Sequence, residues 1–146
     1  MSRRVAVGVL VLGLLWWSGC ACTAAGALQG LVVDVHVTGG VFDPAAYELV
    51  ARVDGVEIRD NQPAAVNGRT LFLTSFLDDT GGSAQIAFAS GVGGPEVVTL
   101  ELWRGAELVA EQTYTPDYEP AYPSGRWCGS DGTQARDTLE VDLAAL

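Results

Sequence analysis

Apolar and polar side chains alternate along much of the chain. In Leu28–Thr38, apolar side chains at odd positions alternate with Asp34 and His36 at even positions. Tyr47–Val53 and Arg136–Leu143 repeat this pattern. Successive side chains of a strand point to opposite faces, so a period of two predicts half-buried β-strands.

Turn residues separate further segments of the same kind. Asp54-Gly55 predicts a two-residue hairpin, because both of its positions need a positive φ. Asp60–Gly68 is predicted to be a loop, and Asp78–Gly82 and Gly91–Pro95 are predicted to interrupt strands. The remaining predicted strands are Val56–Arg59, Arg69–Leu77, Ser83–Ser90, Val97–Trp103 and Glu107–Thr115.

The strand Arg69–Leu77 departs from the alternating pattern. Leu71 and Leu73 point to one face, but Phe72 and Phe76 make the other face apolar as well. A strand that is apolar on both faces is typical of a central or doubly covered position. We therefore expect this strand to be covered on both sides.

Together these segments predict about eight short strands and no amphipathic helix after the N-terminal segment. This pattern is typical of an all-β domain, and we expect a single antiparallel β-sandwich over residues 31–146. Alternate apolar residues of most strands are expected to form its core. They are Val33, Val35, Leu49, Val53, Leu71, Leu73, Ile86, Phe88, Leu100, Leu102, Leu139 and Val141.

With this spacing of strands, the domain resembles the immunoglobulin-like, fibronectin-like and transthyretin-like sandwiches of extracellular proteins. The resemblance concerns architecture, because no sequence motif of those families runs through the chain. Many functions occur on such sandwiches, so the fold alone does not assign one.

The N-terminal segment has a different pattern. Arg3 and Arg4 precede the uninterrupted apolar run Val5–Trp17, and small residues follow. A basic segment, a short apolar core and a small-residue exit form the layout of a secretory signal. The run is shorter than the ~20 apolar residues of a spanning helix, which favours a cleaved signal over an uncleaved anchor. We expect residues 1–19 to be the signal peptide.

The residues Ser18–Cys20 resemble the end of the lipobox of bacterial lipoproteins. The resemblance implies that Cys20 carries fatty acyl chains such as palmitate, becomes the first mature residue, and is followed by a tether over residues 20–30. It also implies a bacterial cell-envelope protein, anchored in a membrane on the periplasmic or extracellular side. Trp17 departs from the family pattern, in which an aliphatic residue is usual.

Two alternatives stay open at this end of the chain. Cys22 is the second choice for lipidation, and an ordinary signal peptide cut at Ala25–Ala27 would release the chain without a lipid. If Cys20 is acylated, Cys22 and Cys128 remain as an even pair in an oxidising compartment. This parity favours a disulfide between Cys22 and Cys128, whereas a free tether would leave them apart.

Charge narrows the range of partners. The chain has 146 residues, a formal net charge of −10 and no lysine. A strongly acidic surface repels phosphate groups, so nucleic acid is excluded as a partner. The length fits one domain with a sizeable core.

Candidate catalytic groups are few. His36 is the only histidine and is predicted to be solvated on an outward face. A nucleophile needs a base within hydrogen-bond reach, and no G-x-S-x-G or comparable motif occurs. Asp78–Gly82 and Asp131-Gly132 could offer oxygen ligands to calcium, but turn formation explains both equally well. We therefore expect no catalytic residue, no metal and no cofactor.

The segment Thr115–Gln134 is predicted to be a long loop, and long loops in compact domains are usually functional or disordered. It contains Tyr118, Tyr122 and Trp127, which are candidate binding residues because aromatic rings offer apolar area at a low entropic cost. The alternative is that these rings fold back over the open end of the sandwich.

These features predict an exported, lipid-anchored envelope protein that is a non-enzymatic binding or structural module. Its expected partners are the membrane, through the lipid, and an envelope protein or polysaccharide. The alternative is an exported enzyme that uses carboxylates, with or without calcium, on an envelope or extracellular polymer. A group of carboxylates with raised pKa values in a cleft would favour that alternative.

Overall fold

A computed structural model describes residues 30–88, 93–122 and 132–146 of the chain. These residues form strands, with two single-turn 3₁₀ segments at Pro44–Ala46 and Leu143–Ala145. The strands are β1 (Gly30–Thr38), β2 (Tyr47–Val53), β3 (Val56–Arg59), β4 (Ala64–Val66), β5 (Arg69–Asp78), β6 (Gly81–Phe88), β7 (Val98–Arg104), β8 (Glu107–Tyr114), β9 (Glu119–Pro120) and β10 (Thr133–Asp142). The all-β prediction is confirmed.

The strands form two sheets. Sheet A has six strands in the order β4-β5-β6-β1-β10-β9, and sheet B has four in the order β3-β2-β7-β8. All pairings between these strands are antiparallel except that of β1 with β10. The prediction of a purely antiparallel fold is therefore wrong at this pair, because alternation within a strand carries no information about its neighbour's direction.

Two strands lie where the sequence predicts loops. β4 occupies part of the predicted loop Asp60–Gly68, and β9 occupies part of Thr115–Gln134. β4 has three residues and β9 has two, which is too short for a period of two to be visible. The described residues therefore hold ten strands rather than about eight.

Two hairpin turns have nearly the same φ values. Asp54 and Gly55 have φ values of 49° and 79°, and the predicted hairpin between β2 and β3 is confirmed. Asn67 and Gly68, between β4 and β5, have φ values of 49° and 76°. Positive φ at both central residues is the conformation that Asn, Asp and Gly adopt most readily, which explains the choice of residues.

The core follows the alternation closely. All twelve residues predicted to form it are buried. One hydrophobic cluster includes buried residues of both sheets, such as Leu73 and Ile86 of sheet A and Leu100 and Leu102 of sheet B. Burial of such side chains contributes roughly 1.5–3 kcal/mol each to the free energy of unfolding.

The strand β5 corrects one prediction. Leu71 and Leu73 are buried, but Phe72 is 44% exposed and Phe76 is 65% exposed. The expectation that both faces of this strand are covered is therefore wrong. The periodicity placed the two phenylalanines on one face correctly, but a pattern along one strand cannot show whether anything packs against that face.

Several predicted features lie outside the described residues. They are the signal peptide, most of the tether, Cys20, Cys22, Trp127 and Cys128. In the described ranges, no helix is both long and apolar enough to cross a bilayer.

Candidate binding site on the outer face of sheet A

The two exposed phenylalanines lie on the same face of sheet A, which points away from the core. Phe72 and Phe76 are four residues apart on β5, a separation of about 13 Å in an extended strand. Their cross-strand neighbours on β6 are Ala87 and Ser83. Because these neighbours are small, the rings stand above the sheet and their faces are accessible.

A shallow groove of about 460 Å³ runs beside Phe76. Phe76 lies on one side, Asp34 and His36 of β1 lie on the other, and Gly82 and Ser83 of β6 lie between them. The groove thus combines one aromatic ring with carboxylate, imidazole and hydroxyl groups. Such a mixture suits a ligand that has both apolar and hydrogen-bonding surfaces.

Two glycines allow β6 to pass closely between its neighbours. Gly81 and Gly82 have φ values of 139° and 142°. A Cβ atom at Gly81 would lie 1.9 Å from the backbone oxygen of Val35, and one at Gly82 would lie 2.0 Å from that of Phe76. Any larger residue would therefore force the strands apart and deform the groove.

The charged groups on this face are held loosely. His36 Nδ1 lies 4.0 Å from Glu140 Oε1, and both side chains are mainly exposed. Arg136 Nη1 lies 3.7 Å from Asp34 Oδ2. The prediction that His36 is a solvated strand histidine is confirmed. Exposed pairs at such distances contribute little to stability, so these side chains can reorient toward a ligand.

At the end of the groove, the carboxylate of Asp78 is engaged in hydrogen bonds within a local turn. Its Oδ1 accepts hydrogen bonds from the hydroxyl of Thr80 at 2.7 Å and from the backbone N–H of Thr80 at 2.8 Å. These bonds, the hydroxyl first, lower the pKa of Asp78. Within the described part of the chain, no group of three or more His, Cys, Asp or Glu side chains could hold a metal ion.

The candidate loop aromatics occupy different environments. The hydroxyl of Tyr118 donates to the backbone oxygen of Pro95 at 3.1 Å, and its ring meets Phe88 edge-on with centroids 5.5 Å apart. Burial raises the pKa of Tyr118 to about 12. Tyr118 therefore lies folded back against the domain, whereas Tyr122 is exposed. A binding role for the loop stays a prediction.

The outer face of sheet B is covered by its own side chains around Glu101, whereas Leu108 on the edge strand β8 is 43% exposed. Val50 and Glu101 point outward, yet they are only 2% and 4% exposed. Glu101 accepts hydrogen bonds from Arg52 Nε at 2.6 Å and from Trp103 Nε1 at 2.7 Å. The connected network runs through Trp103, Glu101, Arg52, Glu57, Arg59 and Glu48.

The exposed rings of sheet A were not among the binding residues predicted from the sequence. The sequence did show that Phe72 and Phe76 make this face of β5 apolar, but that pattern led to the expectation that other residues cover the face. Comparisons with protein families, curated proteins and solved structures gave no significant match. Any assignment of function therefore depends on the geometry of the chain itself.

Proposed function

We propose that this chain is an exported, lipid-anchored protein of a bacterial envelope and acts as a non-enzymatic module that binds a neutral polysaccharide. We also propose that its two sheets form a single β-sandwich, which is supported by the hydrophobic cluster that they share. The observation that carries the proposed binding is the pair Phe72 and Phe76, exposed beside a polar groove.

A sugar ring matches this arrangement chemically. A pyranose has a face of C–H groups that packs on an aromatic ring, and an edge of hydroxyl groups that needs hydrogen-bond partners. Phe76 offers the ring, while Asp34, His36 and Ser83 offer polar groups beside it. Phe72, about 13 Å along the strand, provides a second contact for an extended chain of sugars.

The size of the apolar surface favours a sugar over a protein partner. An aromatic side chain has about 150–250 Å² of surface, so these two partly exposed rings present roughly 200 Å². A stable protein interface buries about 800 Å² on each partner. The rings alone are therefore too small for a protein interface, whereas two stacked sugars need no more area.

Charge favours a neutral chain. The net charge of −10 repels anionic polymers, and the groove itself has Asp34 and Asp78 on its walls. The carboxyl groups whose pKa shifts are resolved in the described residues, Glu57 and Asp78, both have lowered pKa values. Neither has the raised pKa that a carboxylate acid catalyst would need.

Affinity electrophoresis tests the proposed binding. The full-length protein in detergent is run in native gels that contain soluble neutral glucans, mannans or galactans, with an anionic polysaccharide as a contrast. We expect a neutral polymer to retard the protein and the double variant F72S/F76S to migrate freely. Leu108→Ser is the control, because Leu108 is about as exposed as Phe72 but lies on sheet B.

Two results would contradict the polysaccharide proposal. One is a wild-type protein that no neutral polymer retards, and the other is retardation that survives F72S/F76S. Attachment is tested separately by mass spectrometry of the native N-terminus. We expect a diacylated Cys20, since a single acyl chain binds membranes only marginally, and an unmodified chain that begins at Leu28 would contradict it.

A further inference from the structure

A second cavity lies at the end of the domain where three connections meet. It has a volume of about 510 Å³, within the range of small-molecule sites. Its walls come from the β2–β3 turn at Asp54, the β4–β5 turn at Asn67, and residues 93–97 before β7. It is separate from the groove beside Phe76, with which it shares no lining residue.

The cavity contains an arginine without a carboxylate partner. Of the five arginines in the described residues, Arg52, Arg59, Arg104 and Arg136 each lie within 4 Å of a carboxylate oxygen. Arg69 forms no such pair within the described ranges, although the chain has 18 acidic residues. A guanidinium presents a planar fork of donors that fits a carboxylate.

The walls beside Arg69 are held in place. The side chain of Asn67 donates a hydrogen bond to Asp54, which joins the two hairpin turns. Tyr118 packs over Gly94, where a Cβ atom would lie 2.3 Å from the ring. Arg69 acts on Tyr118 as a nearby positive charge, opposing the effect of burial on its pKa. The site is therefore preorganised, which lowers the entropic cost of binding.

The charges of the cavity select the class of ligand. Arg69 is cationic, but Asp54 and Glu96 are also on the walls, so the formal charge is negative overall. A simple anion would be attracted by one group and repelled by two. A molecule with separate carboxylate and ammonium groups satisfies both signs. The buried side chains of Val53, Val66 and Leu71 provide an apolar surface beneath it.

We propose that this cavity binds a small zwitterion, an amino acid or short peptide with free termini. Its carboxylate pairs with Arg69, and its ammonium group lies toward Asp54 and Glu96. This site does not depend on the polysaccharide proposal, and each can fail without the other.

Three probes that differ only in their charged termini test the zwitterion site. They are alanyl-alanine, its N-acetyl derivative, which lacks the ammonium group, and its amide, which lacks the carboxylate. Binding to the full-length protein in detergent is followed by calorimetry and by the NMR shifts of the amides of Asn67 and Gly94. We expect the unmodified dipeptide to bind at least about tenfold more tightly than either derivative, since each removes a charged hydrogen bond.

Variants locate the contact. Arg69→Gln is expected to lose at least about tenfold in affinity for alanyl-alanine, whereas Arg104→Gln, a paired arginine elsewhere on the surface, should bind like the wild type. Glu96→Gln, at an exposed position, should weaken binding of the dipeptide but not of its N-acetyl derivative. This second variant keeps the test decisive if Arg69→Gln does not fold.

Each contrary outcome overturns the zwitterion site. Equal binding of the N-acetyl derivative would make the cavity an anion site, and equal binding of the amide would make it a cation site. Unchanged affinity in Arg69→Gln would remove the arginine from the site. No amide shift with any probe at about 10 mM, where a site with a Kd of ~1 mM would be mostly filled, would leave no site at all.

Discussion

The outer faces of the two sheets differ in how far their apolar side chains are covered. On sheet B, Arg52 and Trp103 lie over Glu101, and Val50 beside it is almost completely buried although it points outward. On sheet A, Phe72 and Phe76 remain exposed. Around Glu101, sheet B covers its apolar surface with hydrogen-bonded charged side chains, whereas sheet A leaves two aromatic rings exposed to solvent.

The difference shows how a sheet can present an outer face that needs no partner. The bonds from Arg52 and Trp103 satisfy Glu101, and the long side chains exclude water from Val50. Among the described residues, no comparable network covers Phe76, whose cross-strand neighbour is Ser83. Because Phe76 stands beside a polar groove, sheet A is the better candidate for binding.

The largest effect would come from the core that both faces share. Leu100→Ala is expected to lower the free energy of unfolding by roughly 2–5 kcal/mol, because Leu100 is fully buried in the cluster common to both sheets. Denaturant unfolding is followed by the NMR amide signals of β7 for sheet B and of β5 for sheet A. Separate transitions for the two probes would show that the faces belong to independent units.

A smaller loss is expected when the cover of sheet B is broken. Arg52→Ala removes a hydrogen bond to the buried carboxylate of Glu101 and should cost about 1–3 kcal/mol. Arg59→Ala is the matched control, since its partners Glu48 and Glu57 are exposed and its loss should cost clearly less. If chemical denaturation gave the two variants equal losses in free energy of unfolding, the burial of Glu101 would not strengthen its bond with Arg52.

At alkaline pH, the free energy of unfolding depends on two tyrosines that are removed from solvent and not on the outer faces of the sheets. Burial raises the pKa of Tyr118 to about 12 and also raises that of Tyr114. Both phenols ionise in the unfolded chain near pH 10, so their contribution is complete below that pH and is lost as pH rises toward 12. Each contributes a slope of at most ~1.4 kcal/mol per pH unit.

The measurement is the free energy of unfolding between about pH 9 and 12, a range in which arginine keeps its charge. Tyr118→Phe should make the decline less steep, while Arg59→Ala should leave its slope unchanged. An identical slope in Tyr118→Phe would assign the loss to other groups.

The smallest effect on stability is expected at the exposed face of sheet A. Phe76→Ser should change the free energy of unfolding by no more than about 0.5 kcal/mol, because the ring is largely solvated already. Thermal unfolding with and without a neutral polysaccharide checks this. A loss of several kcal/mol without ligand would show that Phe76 is structural, and the contrast between the faces would disappear.

The sequence predicted which face of a strand each residue points to, but it did not predict what packs against that face. Leu100, Leu102 and their alternating partners are buried as expected, because burial in a sheet follows the period of two directly. Glu101 lies between these two leucines and points to the opposite face, but its burial depends on Arg52, which is 49 residues away in the chain. Such a contact is set by strand order, and local patterns do not contain strand order.

The candidate site shows the same limit. The unusual character of Phe72 and Phe76 was visible in the sequence, but their exposure was not, since it depends on what lies opposite the sheet. The cavity at Arg69 was not visible, because its walls come from three separate connections. The burial of the twelve core residues follows from the local alternation of each strand. Both candidate sites, by contrast, form only when segments distant in the sequence come together.

The parallel pairing of β1 with β10 also governs the order of events when the protein is made. Gly30 pairs with Gln134, about a hundred residues later in the chain, so the contact order of sheet A is high. β1 is a central strand and cannot complete its ladder until the last strand has been synthesised. With the proposed attachment at Cys20, a chain acylated before β10 pairs would be held at the membrane by the residues just before β1. Folding would then occur on a surface and not in free solution.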